Sequence, residues 1–290
     1  MEQNRSKLHI EIDKTLQEKS AFGQSRHKAK EDGSDKDKIF SYASMKQYKR
    51  QCRYFADYVR ENYPKTRHVG QSKKYAGEYL EHLIDEGKSP STIQTARSAL
   101  SKLFGETIAQ ELELPEKTRA TITNNRSPER EYLKHFSETK NAELVNFCKK
   151  TGLRKHELKQ LTGDCLREID GNYYLLVKKG KGGKQRLARV LDNDNQVIQR
   201  MKNTAPDGLV WTKENGWKED MTPHKYRADY ATAFYKEIAR PTEALNEREK
   251  YYCRNDMAGK VFDRKALLEV SKNLGHNRIS VVAGNYAYKM

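Results

Sequence analysis

Thr151-Gly152-Leu153-Arg154-Lys155-His156-Glu157-Leu158 joins the end of one helix to the start of the next. Upstream, Leu144, Val145 and Cys148 share an apolar helical face, and Gly152 stops that helix because glycine reaches left-handed backbone angles without a side-chain clash. Arg154 then stands at a helix end, where a long cationic side chain can project into a cleft. Further on, Tyr173 to Val177 and Leu187 to Leu191 read as strands around Gly180-Lys181-Gly182-Gly183-Lys184, which predicts a β-hairpin. Thr222-Pro223 opens a helix with Ala231, Phe234, Tyr235 and Ile238 on its apolar side. Asp263 caps another that carries Ala266, Leu267 and Val270 and ends at Gly275. This half is mostly helical with a small sheet at one edge, so the fold class is mainly α with a little β.

The first half reads as a helical bundle. Met45, Tyr48, Cys52, Phe55 and Val59 recur at three- and four-residue steps and give one apolar stripe. A second helix starts near Ser72, turns Tyr75, Tyr79, Leu80, Leu83 and Ile84 inward, and ends at Gly87. Ser89-Pro90 then has the form of an N-cap followed by proline in the first turn; Ile93, Ala96, Leu100, Leu103 and Phe104 face the core and Gly105 stops the helix. A fourth short helix is expected near Ile108 to Leu112. Residues 1–38 are polar, with a Lys/Asp/Gly/Ser-rich stretch from Gln24 to Lys38, and read as a mobile arm holding at most a short helix around Leu8 to Leu16. The expected organisation is arm 1–38, helical domain 39–114, polar linker 115–128 and a second domain 129–290.

The chain has 290 residues, a net charge of +16 and a pI of about 9.5, which favour a polyanionic partner. Residues 1–115 carry +4 and residues 116–290 carry +12, so the excess sits mainly in the second half. A basic ribosomal or RNA-coating protein shares that balance, and charge alone leaves the function open. The four cysteines (Cys52, Cys148, Cys165, Cys253) form no Cys-x-x-Cys pair, so neither a zinc site nor a disulfide framework is suggested. No apolar run has membrane-span length and Met1-Glu2-Gln3-Asn4-Arg5 has no signal-peptide core, so a soluble, intracellular, reduced protein is expected.

Six side chains in the second half carry chemistry in one order: Arg154, Lys181, His224, Arg227, His276 and Tyr286. A phosphodiester attacked in line gathers negative charge on its non-bridging oxygens, and guanidinium groups meet that charge with a fixed fork of donors. Arg227 lies one turn into its helix with His224 three residues earlier on the same face. Lys181 sits at the hairpin tip among Lys178, Lys179 and Lys184, where a lysine can contact phosphate or protonate a leaving oxygen. A P-loop is excluded, since Gln185 follows Lys184. His276 follows Leu274-Gly275, which ends a helix and turns the imidazole toward the site; Tyr286, with Tyr288 as its rival, is a candidate nucleophile. Each has a bland alternative: a lone arginine usually makes a surface ion pair, and most of the 17 tyrosines must be core residues. His9, His27, His68, His82, His135 and His156 are read as structural. His224 and His276 make no metal site, because no third ligand stands at useful spacing.

In that order the six residues resemble the catalytic set of the tyrosine recombinases, the family of phage and mobile-element integrases. The resemblance implies a SAM-like core-binding domain over 39–114 and a catalytic domain over 129–290, which together clamp opposite sides of double-stranded DNA. It further implies a site-specific recombinase in the bacterial cytoplasm that needs no metal or other cofactor. Such enzymes act as a homotetramer on two DNA sites, with accessory DNA-bending proteins in some systems. By resemblance Arg154 and Arg227 cradle the phosphate, Lys181 is the general acid, His224 and His276 assist, and Tyr286 forms a covalent 3′-phosphotyrosyl link. The spacing from Gly275-His276 selects Tyr286 over Tyr288. Glu157, Leu158, Leu161 and Asp164 match positions the family uses structurally.

Three features depart from the pattern: a charged insert from Arg240 to Arg264, Tyr226 where leucine is commoner, and an end four residues after Tyr286. The last leaves either a different assembly or a truncated sequence, since many relatives dock a C-terminal tail on a neighbour. The alternatives are DNA relaxation of the type IB topoisomerase kind, a non-catalytic DNA-binding relative, and a basic RNA-binding module; against the last, no aromatic RNP motif is present.

Overall fold

The computed structural model describes residues 6–118, 136–180, 183–254 and 257–286. The chain divides into two compact units, Met1–Thr123 and Asn124–Met290.

The first unit is a helical bundle of α1 (Lys7–Glu18), α2 (Arg26–Glu31), α3 (Tyr42–Asn62), α4 (Val69–Ser72), α5 (Ala76–Asp85) and α6 (Pro90–Phe104). Helix α3 buries Met45, Cys52, Phe55 and Val59 on one stripe, as its periodicity requires. Helix α6 starts as Ser89-Pro90 predicts: the Ser89 side chain accepts from the Thr92 amide at 3.3 Å, and Gly105 closes the helix at φ +77°.

Two expectations for this unit are corrected. Residues 7–18 are no arm: Leu8, Ile12 and Leu16 of α1 are buried in the same core as Phe55, and Arg53 of α3 pairs with Asp13. Ile39 donates to the Lys19 carbonyl at 2.8 Å and accepts from the Ala21 amide at 2.9 Å, which fastens the far end of the segment too. The short helix expected around Leu8 to Leu16 is present as α1; its apolar residues recur every fourth position, and the polar composition around them gives a core helix the look of an arm. The second correction concerns Ile108 to Leu112, which forms no helix. Ala109 takes φ +49°, a conformation that ends helical winding, while Ile108 plugs the core with its backbone held by Ser101 Oγ and Arg97 Nε.

The second unit contains α7 (Ala142–Thr151), α8 (Lys155–Leu158), an antiparallel sheet of β1 (Leu166–Ile169), β2 (Asn172–Val177) and β3 (Arg186–Arg189), then α9 (Asn195–Lys202) and α10 (His224–Ile238). A short hairpin of β4 (Lys250–Tyr252) and β5 (Val261–Asp263) follows, then α11 (Arg264–Asn273) and α12 (Ile279–Asn285). The β2–β3 hairpin pairs Val177 with Arg186 and leads out to the glycine-lysine tip. Of the expected insert 240–264, β4 and β5 thus pair as antiparallel strands, and Arg240 is held by Asp263 and Glu249. Among the described residues no helix is long and apolar enough to cross a membrane. The fold is mainly α with two small antiparallel sheets.

Candidate active site

Two helix ends build this site. The last carbonyls of any α-helix have no partner within the helix and lie at its negative pole. Helix α7 ends at Gly152, where φ is +59° and an added Cβ would lie 2.5 Å from the Tyr230 ring, so glycine is required. Helix α11 ends at Leu274-Gly275, with Gly275 at φ +71°. Three arginines fill the orphan carbonyls of these ends. Arg154 Nη2 donates to the Leu274 oxygen at 3.0 Å, and Arg227 Nη2 donates to the same oxygen at 3.1 Å. Arg227 Nη1 donates to the Gly152 oxygen, and Arg186 Nε to the Asn273 oxygen at 2.7 Å.

Arg227 is fully buried on α10, and its Nε has no hydrogen-bond partner. Burial lowers its pKa, whereas the neighbouring Tyr286 phenol pulls the other way. Arg154 precedes α8 with an extended backbone, its amide and Nη1 both donating to Glu157 at 2.8 Å. Glu157 is buried; that desolvation opposes its charge, yet hydrogen bonds and charge from Arg186 and Arg154 outweigh it and hold the carboxyl down to about 2. Three guanidiniums around one carboxylate leave the cluster with two net positive charges. A buried cluster with that excess suits an anion.

The rest of the site hangs on the turn after α11. The His276 amide donates to Ser271 O at 2.9 Å, and Ser271 Oγ bonds both the amide and the carbonyl of Arg278, fixing the entry to α12. That places His276 Nε2 3.4 Å from the Tyr286 hydroxyl, directly after α12. Tyr286 itself is only 5% exposed.

Of the six residues singled out in the sequence, Arg154, Arg227, His276 and Tyr286 thus come together around Leu274. His224 is exposed as the first residue of α10, one turn before Arg227. Lys181, like Tyr288 and His135, lies outside the described residues, as does most of the expected linker. The base of the hairpin tip is defined: the Gly180 amide donates to Lys184 O at 2.9 Å, and Lys178 is held by both oxygens of Asp164 at 2.8 Å. Lys178 is therefore engaged, whereas Lys179 and Lys184 are exposed. Sequence reasoning set Glu157 aside and missed Arg186. A single arginine in a Lys-rich run carries no sign of burial; the signal available was its place at the start of a strand with alternating inward positions. Among the described residues no group of three or more His, Cys, Asp or Glu side chains could hold a metal ion.

No protein-family model and no curated protein matches the sequence. Among solved structures, the fold is similar to that of XerH site-specific recombinase bound to palindromic difH substrate in a post-cleavage complex. There the identity is 15%, the match covers 96% of this chain and 92% of that one, and the TM-score is 0.54. The pre-cleavage complex of XerH with difH matches at 16% identity over 99% and 95% of the two chains, with a TM-score of 0.50. The chain has the tyrosine-recombinase fold over nearly its whole length.

Proposed function

We propose that the protein is a site-specific DNA recombinase of the integrase type that cleaves and rejoins strands through a 3′-phosphotyrosyl intermediate. The observation that carries this reading is the convergence of Arg154 and Arg227 on the Leu274 carbonyl, beside the Tyr286–His276 pair. A phosphate among the two guanidiniums would meet donors already in place, which stabilises the charge that develops in the transition state.

The residues divide the work as follows. The Tyr286 oxygen attacks phosphorus and forms a P–O bond as the bond to the 5′-oxygen breaks. Lys181 gives that oxygen its proton, so a free 5′-hydroxyl leaves. His276 bonds the phenol oxygen and then a phosphate oxygen, and His224 assists proton transfer to and from Tyr286, taking up the phenol proton as the P–O bond forms and returning it when Tyr286 leaves. The 5′-hydroxyl of a partner duplex next attacks the phosphotyrosine and releases Tyr286, giving strand exchange. The first unit serves as the core-binding clamp, and exchange on two sites calls for four copies. The excess charge of the second half supports a DNA partner, and the tyrosine-recombinase fold supports the reaction class. Arginines rather than a bound metal supply the cationic field, and the setting inferred is a bacterial mobile element.

The test starts without knowledge of the target. The chain is incubated with a pool of nicked random-sequence duplexes and then recovered under denaturing conditions. Enrichment of one DNA site on the wild type, and none on Tyr286→Phe, is the expected result; DNA that washes off wild type in denaturant refutes the covalent step. Joining of ends between two copies of the recovered site supports recombination, whereas relaxation of supercoiled DNA with no exchange supports topoisomerase-like religation.

A further inference from the structure

We propose that Arg186, at the start of β3, is a positioning residue that keeps Arg154 available to phosphate by occupying the carboxylate they share. This rests on the strand-cleavage reading above. Glu157 is completely enclosed and receives four donors. Arg186 Nη1 and Nη2 reach its two oxygens at 2.8 Å each, while the Arg154 amide and Arg154 Nη1 each reach one of them at 2.8 Å. A carboxylate offers about four lone-pair positions, so this one is full.

The division of those positions is unequal. Arg186 takes the parallel two-bond geometry, the stronger form of arginine–carboxylate pairing, and Arg154 is left with a single side-chain bond. Its Nη2 is committed to Leu274 O, and the rest of its donor edge is not spent on Glu157. Without Arg186, the carboxylate would present its full charge and both oxygens to Arg154. The guanidinium would then swing into the two-bond geometry and lose its hold on Leu274, and with it the edge it shares with Arg227.

Two further contacts show that Arg186 is built into this place. Its Nε donates to Asn273 O at 2.7 Å, one residue before the carbonyl that anchors Arg154 and Arg227. Gly275 lacks the Cβ that would stand 3.0 Å from Arg186 Cδ, and at Gly180 a Cβ would lie 3.1 Å from Arg186 Nη1. The glycines at the hairpin base and at the end of α11 therefore both leave room for this side chain.

The test has an arm that needs no DNA. The Arg154 guanidinium resonance, identified by its loss in Arg154→Lys, is followed by ¹⁵N NMR in the full chain carrying Arg186→Lys, Arg186→Ala or Glu157→Gln. Lysine keeps the charge without the fork, so Arg186→Lys guards against simple unfolding. A displaced Arg154 resonance in folded Arg186→Lys is expected; an unmoved one overturns the proposal.

The second arm measures covalent attachment to the DNA site recovered by wild type. Arg186→Lys should slow it by roughly 10–100-fold, the scale set by small misplacements of a transition-state group. In an Arg154→Ala background the same substitution should change the rate less than about 2-fold, since residues that act through one another are not additive. On a site whose scissile phosphate is a neutral methylphosphonate, the penalty should shrink, which a general loss of packing would not produce. A full penalty in both settings overturns the proposal. Wild type that attaches to no DNA would defeat the recombinase reading, while the resonance arm still decides whether Arg186 positions Arg154.

Discussion

Arg154, just before α8, and Arg227, on α10, donate to one backbone oxygen, that of Leu274, at 3.0 and 3.1 Å. A peptide carbonyl carries no formal charge, so it orients both guanidiniums without neutralising either. Glu157 touches Arg154 but is divided with Arg186, and Arg227 rests on two carbonyls and the Tyr286 phenol, none of which carries a full negative charge. The arrangement keeps cationic charge in a buried place where water cannot answer it.

The two arginines should therefore behave differently when removed. Each of Arg154→Ala and Arg227→Ala should cost roughly 100-fold or more in covalent attachment. DNA affinity should fall far less, because many other Lys and Arg side chains share the phosphate contact. Arg227→Ala should also cost stability on the order of 1–3 kcal/mol at any pH, since it strips the Gly152 carbonyl of its buried donor. The cost of Arg154→Ala should instead ride on the buried Glu157 charge and fall as that carboxyl is protonated. Urea melts beside attachment rates test this; equal loss of binding and attachment would reduce both to anchors.

Tyr286→Phe should bind the recovered site and never become attached, because only the phenolic oxygen is lost. Attachment that survives this change but disappears in Tyr288→Phe moves the nucleophile. His276→Ala should slow attachment while leaving Tyr286 packed against Val282 and its neighbours. Because Tyr286 is 5% exposed, the 286 side chain must come out to meet DNA. Iodination of tyrosine should accordingly spare position 286 in the free protein and reach it once DNA is bound.

Gly152→Ala offers a backbone test. The residue sits at φ +59°, and a Cβ would press into the Tyr230 ring at 2.5 Å. The substitution should destabilise the second unit by about 1–3 kcal/mol and shift the carbonyl that Arg227 uses, so that attachment falls as well. A variant with wild-type urea midpoint and rate would show that the helix end can relax at no cost.

Glu157 sets a pH dependence. Its folded-state pKa is near 2 against an ordinary value of 4.5, despite burial, because Arg186 and Arg154 bind the charged form. A depressed carboxyl contributes stability that is fully present above pH 4.5 and is lost as pH falls toward about 2. Titrating urea stability from pH 6 to roughly pH 2 should show this loss in wild type and a smaller one in Glu157→Gln. Identical slopes would mean that Glu157 does not govern acid stability.

Much of this was legible in the sequence because it depends on local signals. Gly152 and Gly275 announce two helix ends, and Ser89-Pro90 announces a start. The residues after those ends, Arg154 and His276, could be placed at a cleft for the same reason. What the sequence hid is what depends on neutralisation across distance. Arg186 and Glu157 are 29 positions apart, and only its place at the start of a strand sets this half-buried arginine apart from the lysines around it. The stripe Leu8–Ile12–Leu16 was visible but outweighed by polar neighbours, so a core helix passed for an arm. At Ile108 the apolar pattern suggested a helix, and one left-handed residue, Ala109, overrode it.

The lysine at the hairpin tip gives the last prediction. Lys178 is tied to Asp164, so the candidates for an acid are those beyond it, and the resemblance to the tyrosine recombinases points to Lys181 between its glycines. If Lys181 protonates the leaving 5′-oxygen, Lys181→Ala should attach slowly to ordinary DNA. A scissile 5′-bridging sulfur leaves without a proton, so that substrate should restore much of the mutant's rate and little of Arg227→Ala's, which lacks charge stabilisation instead. Rescue of Lys184→Ala but not Lys181→Ala would shift the role within the tip. If the charge at the phosphate is supplied by Arg154, Arg186 and Arg227, which outnumber the one carboxylate among them, attachment by wild type should also persist in EDTA. Loss of attachment in EDTA, restored by magnesium, would mean that these guanidiniums do not supply enough charge on their own.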